Sequence, residues 1–142
     1  MARTKSVGVL IIKDGKVLLV KHGQAARHLN GRYGFPAGRI ADSEDERTAA
    51  ARELLEETGL KTQAEDLKEF PGNYVESTLE MKHGPEDFAF RVFLAESFAG
   101  ELKNSDETEP EWIEIDKLGH INALANIRDI TLKGWEFIKR KQ

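Results

Sequence analysis

Glu53, Glu56 and Glu57 crowd one end of the segment 44–58, and no other stretch constrains the possible fold as strongly. The segment reads as a helix. Ser43 is placed to cap its start, with Glu46 three residues on completing a capping box, and Gly59 sits where a left-handed C-cap is needed. At roughly 100° per residue the three glutamates share an arc of about 100°, while Ala51, Leu54 and Leu55 point away as a core-facing stripe. Like charges four residues apart repel by roughly 0.2–0.5 kcal/mol per pair, and few Lys or Arg residues stand at matching spacings. Glutamates late in a helix also oppose its macrodipole. A solvated acidic face is the ordinary outcome for such a helix, yet an arrangement unfavourable by itself is better explained by a cation. Three hard oxygen donors suit Mg²⁺, with Mn²⁺ as a substitute.

The rest of the chain supplies a mixed framework. Val7–Ile12 and Val17–Val20 flank Asp14-Gly15, a pair that tolerates the positive φ angles of a tight hairpin turn. The polar run 21–32 reads as a loop, and Tyr33-Gly34-Phe35 as a short extended piece closed by Pro36-Ala37-Gly38. Strands are expected at 67–70, 74–78, 88–95 and 112–115. The third of these alternates apolar residues on both faces and is expected to be covered on both. The acidic segment 97–110 reads as a loop. A last helix from about Asn122 to Lys141 carries Leu124, Ile127, Thr131, Trp135 and Ile138 at helical spacing. The sum is an α/β (α+β) domain with a mixed β-sheet between helices, spanning 1–142 as one unit, since 142 residues suit one core.

Composition removes several classes of function. With no cysteine there is no disulfide, thiolate nucleophile or Cys-based zinc site. A net charge of −4 argues against a general nucleic-acid-binding surface. It leaves room for a small phosphorylated ligand, because a divalent cation can supply the positive charge. The short apolar run after Thr4-Lys5 suits neither a signal peptide nor a membrane span, and a cytoplasmic protein is expected.

Gly38, Glu44, Arg52, Glu53, Leu54, Glu56, Glu57, Gly59 and Leu60 form the pattern G-x5-E-x7-R-E-U-x-E-E-x-G-U, with U aliphatic. This resembles the Nudix box of the Nudix hydrolase superfamily (MutT-like members) at every fixed position. The resemblance implies an α/β/α sandwich and a Mg²⁺-dependent hydrolase of a diphosphate linkage in a nucleoside triphosphate or other nucleoside diphosphate derivative, acting as a monomer or homodimer. It further implies that Glu53, Glu56 and Glu57 bind metal, helped by the backbone carbonyl near Gly38, where a glycine lets the loop approach the ion. Arg52 and Glu44 would brace the carboxylates, and Glu53 is the first choice for positioning the attacking water. Glu76, Glu80, Glu107 and Glu109 are alternatives for that role.

Residues outside the box carry less information. Tyr33 and Phe35 are candidates to stack on a base, although aromatics beside a strand more often serve the core. Arg27, His28, Asn30 and Arg32 lie in the loop entering the site and are candidates to touch phosphates. His83 reads as a turn residue. Asn122 and Asn126 are candidates to read a base edge, with helix capping the expected role of Asn122. The chain has Pro-Ala-Gly where the family often has Pro-Gly-Gly, and Arg39-Ile40-Ala41 where an acidic residue often stands. Pro71, Pro85 and Tyr74 do not match the spacings typical of ADP-ribose or dinucleoside polyphosphate hydrolases. Those activities, hydrolysis of RNA 5′ ends, and a regulatory domain that holds a nucleotide without turnover are the competing readings.

Overall fold

The computed structural model describes residues 4–23 and 30–141. In chain order these form β1 (Thr4–Leu10), β2 (Ile12–Lys13), β3 (Lys16–His22), β4 (Tyr33–Gly34), β5 (Ala37–Arg39), α1 (Glu46–Thr58), β6 (Tyr74–Met81), β7 (Gly84–Leu94), β8 (Thr108–Glu114) and α2 (Ile127–Arg140). Short 3₁₀ turns lie at Ala64–Asp66 and Ile115–His120. No helix among the described residues is long and apolar enough to cross a membrane.

The strands divide into two groups, one mixed and one antiparallel. One sheet runs β5-β1-β7-β6, with β1 parallel to β7 from Thr4↔Phe88 to Leu10↔Leu94. The other joins β2, β3, β4 and β8 around β3. The Asp14-Gly15 turn has positive φ at both residues, 53° and 74°, as a tight hairpin demands. Its paired arms are β2 and β3; β1 breaks off at Ile11 and leaves for the other sheet.

Period-2 alternation then divides the core. Val7, Val9 and Ile11 join Leu18, Phe93 and the α1 residues Ala49, Ala50 and Leu54 in one cluster. Leu10, Val17, Leu19, Val92 and Leu94 face the opposite cluster with Ile127 and Ile130 of α2. The sheets are therefore buried on both faces between the two helices, and β7 is covered on both faces as its sequence implies.

Local differences from the sequence reading have physical causes. The cap of α1 is Asp45, whose carboxylate accepts the Thr48 N–H at 2.8 Å; Ser43 lies outside the helix with φ 65°. Two overlapping cap patterns competed, and the carboxylate is the stronger acceptor for a positive helix end. Leu55 is 43% exposed, because the buried stripe Ala50, Leu54, Thr58 repeats every four residues and Leu55 falls off it. The segment 67–70 contributes one isolated bridge, Lys68↔Leu94, and no strand. α2 begins at Ile127, not Asn122: residues 122–124 run extended beside β4, where the Asn122 carbonyl accepts the Tyr33 N–H at 2.9 Å.

Candidate active site

The carboxylates of α1 meet the loop around β5 because α1 packs against β1 and β5. Arg52 organises them. Its Nε and Nη2 donate to the two oxygens of Glu44 at 2.8 and 2.9 Å, a fork-on-fork pair. Nη1 donates to Glu53 Oε1 at 2.9 Å and to Glu56 Oε2 at 3.1 Å, and Nη2 also reaches the Arg39 carbonyl at 3.2 Å. Glu44 accepts the Ala41 N–H at 2.9 Å, closing the loop on itself. The bond to Arg52, then that amide, hold the Glu44 carboxyl down at about 2, while Glu44 above all raises the proton affinity of Arg52.

Gly38 gives the Glu53 carboxyl group its place. A Cβ at this position would collide with the Glu53 carboxyl group, which lies directly on the glycine. One residue earlier, the Ala37 N–H donates to Glu57 Oε1 at 2.7 Å. Glu53 and Glu57 thus both bear on the loop at 37–38, one against the glycine and one against a backbone amide.

This end of the site is short of positive charge. Burial drives the Glu57 carboxyl up to about 8, with Glu53, Glu107 and Glu56 adding repulsion and only the Ala37 amide opposing. Burial also raises Glu53, although Arg52 partly offsets it. Among the described residues no cationic side chain forms an ion pair with Glu57. Hard carboxylate oxygens lacking a counter-charge are a donor set that fits a divalent cation. As arranged, no three such groups among the described residues close on one point, and the exposed Glu56 carboxylate is turned to Arg52.

A cleft of about 440 Å³ opens beside Gly38 and Arg39. Phe35, Val75, Leu79, Phe88 and Phe90 form its apolar wall, and His22, Glu107 and Asn126 stand at its polar edge. Phe35 lines this cleft and is also buried in the core. Tyr33 does not line the cleft; its hydroxyl donates to Glu111 Oε2 at 3.2 Å. Burial and Glu111 raise its proton affinity. Arg32 donates to the Ala123 carbonyl at 3.4 Å. Arg27 and His28 lie outside the described residues.

The alternative glutamates separate clearly. Glu76 and Glu80 are exposed on β6, and Glu109 stands opposite Lys21 in the β3–β8 ladder. Glu107 precedes β8, lines the cleft and adds to the charge felt by Glu57. Asn126 caps α2 with a left-handed backbone, φ 71°, and no side-chain capping bond, so its amide is not spent on the helix. His22 was missed by the sequence reading. Along β3 it lies on the same face as Val20 and Leu18, two and four residues before it.

The profile of the NUDIX domain matches residues 2–134 of the chain. An oxidized purine nucleoside triphosphate hydrolase of Danio rerio is 37% identical over 112 residues, covering 78% of this chain and 65% of that relative. An RNA pyrophosphohydrolase of Bartonella quintana is 28% identical over 140 residues, covering 82% of this chain and 79% of the relative. The crystal structure of a MutT NUDIX hydrolase from Burkholderia pseudomallei superposes with a TM-score of 0.77 at 25% identity, covering 94% of this chain and 98% of that one.

Proposed function

The chain belongs to the NUDIX family, and from that premise we propose that it is a divalent-metal-dependent hydrolase of acid anhydrides whose substrate is a nucleoside triphosphate. The observation that carries the reading is the pairing of two features at Gly38. A carboxylate cluster whose most buried member, Glu57, has no cationic partner among the described residues adjoins an apolar cleft with polar groups at its edge. The first suits the metal-bound polyphosphate; the second suits a flat, partly apolar group such as a base.

Glu53, Glu56 and Glu57 would hold Mg²⁺ or Mn²⁺, with the backbone at Gly38 alongside and Glu56 swung off Arg52. When bound, the metal would neutralise phosphate oxygens that otherwise repel an incoming nucleophile. The protein's own groups do the rest. Arg52, pinned by Glu44, fixes the orientation of Glu53 against the glycine. Glu53, partly desolvated and raised in proton affinity, is our choice to orient a water and take its proton. Glu107 is the second choice, because it alone of the other four glutamates named for this role lines the cleft. The apolar wall limits bulk water around the reacting phosphate.

Purine nucleoside triphosphates are the favoured class, since the Danio rerio relative is named for oxidized forms of them. The chain spans about 65% of that relative's length, so the assignment rests equally on the cleft. The test is a release assay over nucleoside triphosphates, oxidised purine analogues, ADP-ribose, dinucleoside polyphosphates and 5′-triphosphate RNA, with Mg²⁺ or Mn²⁺. Pyrophosphate and a nucleoside monophosphate are expected products. Faster turnover of 5′-triphosphate RNA or ADP-ribose than of every mononucleotide would overturn the substrate assignment.

A further inference from the structure

The hairpin of β6 and β7 supplies Val75, Leu79, Phe88 and Phe90 to one wall of the cleft. Its two strands pair from Tyr74↔Arg91 to Met81↔Gly84, while the described pairing of β7 to β1 begins only at Phe88. The tip, residues 79–87, therefore reaches past the described end of β1. A two-stranded ribbon is marginal without further support, yet this one carries apolar cleft residues out to Leu79 and Met81.

Glu86 ties this tip to the body of the protein. Its carboxylate accepts from the Thr4 hydroxyl at the start of β1 and from Arg39 Nη2 of β5 at 3.2 Å. His83 Nε2 lies 3.0 Å from the same carboxylate. The guanidinium of Arg39 also sits 5.8 Å over the Phe88 ring, beside the cleft. Arg39 in turn offers its carbonyl to Arg52, the residue that holds Glu44, Glu53 and Glu56. Arg39 thus joins the hairpin wall to the carboxylate cluster, its side chain serving one and its backbone the other.

We propose that Glu86 is a positioning residue that clamps the β6–β7 hairpin through Arg39 and Thr4, so that it sets the cleft wall against the nucleoside part of the substrate. The inference rests on the nucleoside triphosphate reading. With Arg39 61% and Glu86 18% exposed, the ion pair is worth little as stability; its effect is on geometry. The clamp acts on the end of the substrate remote from the reacting phosphorus, so its loss weakens binding and leaves chemistry intact.

The test compares Glu86→Gln, Glu86→Ala and Arg39→Gln with wild type by kinetics and by backbone hydrogen exchange. For a nucleoside triphosphate, KM is expected to rise about three- to tenfold with kcat within twofold. In the two Glu86 variants, hydrolysis of inorganic tripolyphosphate, which has no nucleoside to seat, stays unchanged. Amides of 79–87 exchange about tenfold faster while those of α1 do not, and Glu86→Ala combined with Arg39→Gln does no more than the worse single variant. Equal loss on the nucleotide and on tripolyphosphate, an unchanged KM, or unchanged exchange at the tip would overturn the proposal. If wild type hydrolyses no nucleotide, the functional reading fails on its own, and the exchange at 79–87 still decides the clamp.

Discussion

Replacing Glu57 by Gln is expected to stabilise the metal-free protein at alkaline pH while removing metal-dependent turnover. Burial lifts the Glu57 carboxyl from 4.5 to about 8 in the folded chain. Between those values the native state keeps a proton that the unfolded state has released, so the free energy of unfolding falls as pH rises. At about 1.36 kcal/mol per pH unit, full ionisation costs on the order of 5 kcal/mol above pH 8 and nothing below pH 4.5. The depressed Glu44 acts in the opposite sense, its stabilisation being lost as pH falls through about 2, well outside this window. Raised Glu53 adds to the Glu57 slope. Gln keeps an oxygen for the Ala37 amide and cannot ionise. Urea unfolding followed by the fluorescence of Trp112 and Trp135 in EDTA, from pH 5 to 9, measures the effect. Wild type should lose stability across the range, and Glu57→Gln should lose much less and exceed it at pH 8 by roughly 3 kcal/mol or more. Added Mg²⁺ should raise wild type at pH 8, by RT ln(1 + [L]/Kd), and not the variant. Parallel pH curves in EDTA, within about 0.5 kcal/mol, would refute the view that this carboxylate is held at a cost.

Gly38→Ala is expected to fold but to lose most turnover, because the new methyl displaces the Glu53 carboxyl; metal titration should show weakened affinity alongside. Arg52→Lys keeps the charge but loses the bidentate grip on Glu44, so a fall in kcat of about 10–100-fold is expected with a small change in melting temperature. Asp45→Ala removes the α1 cap and should cost about 1 kcal/mol in urea unfolding, whereas Ser43→Ala, outside the helix, should cost less.

The carboxylate helix was legible because its spacing is local: about 3.6 residues per turn set which side chains share a face, and Gly59 ends it with φ 84° as its position implies. The Asp14-Gly15 turn was legible for the same reason. What escaped depends on partners distant in sequence. Nothing around Ile11 announces that β1 abandons the hairpin for β7, because both sheets accept the same apolar alternation. The start of α2 was misplaced because residues 122–124 spend their backbone on Tyr33, a pairing that helical periodicity cannot reveal. At the site, Glu44, Arg52 and Glu53 came together as read, while Phe35 lines the cleft and Tyr33 is held away from it by its hydroxyl's bond to Glu111. Glu107 could not be ranked above its three rivals until the β3–β8 ladder fixed which glutamates pair and which project inward.

The parallel pairing of Thr4 with Phe88 has a consequence for the order of events in synthesis. Strand β1 carries the helix with the carboxylates, and it is itself held between β5 and β7. A growing chain exposes the whole motif by residue 60, yet the strand that flanks its platform emerges only some thirty residues later. Closing so long a loop is slow, as for any contact between distant residues. During that interval a bundle of mutually repelling carboxylates waits on an incomplete support. A nascent chain stalled before β7 therefore holds every residue of the site in sequence without the platform that gathers them.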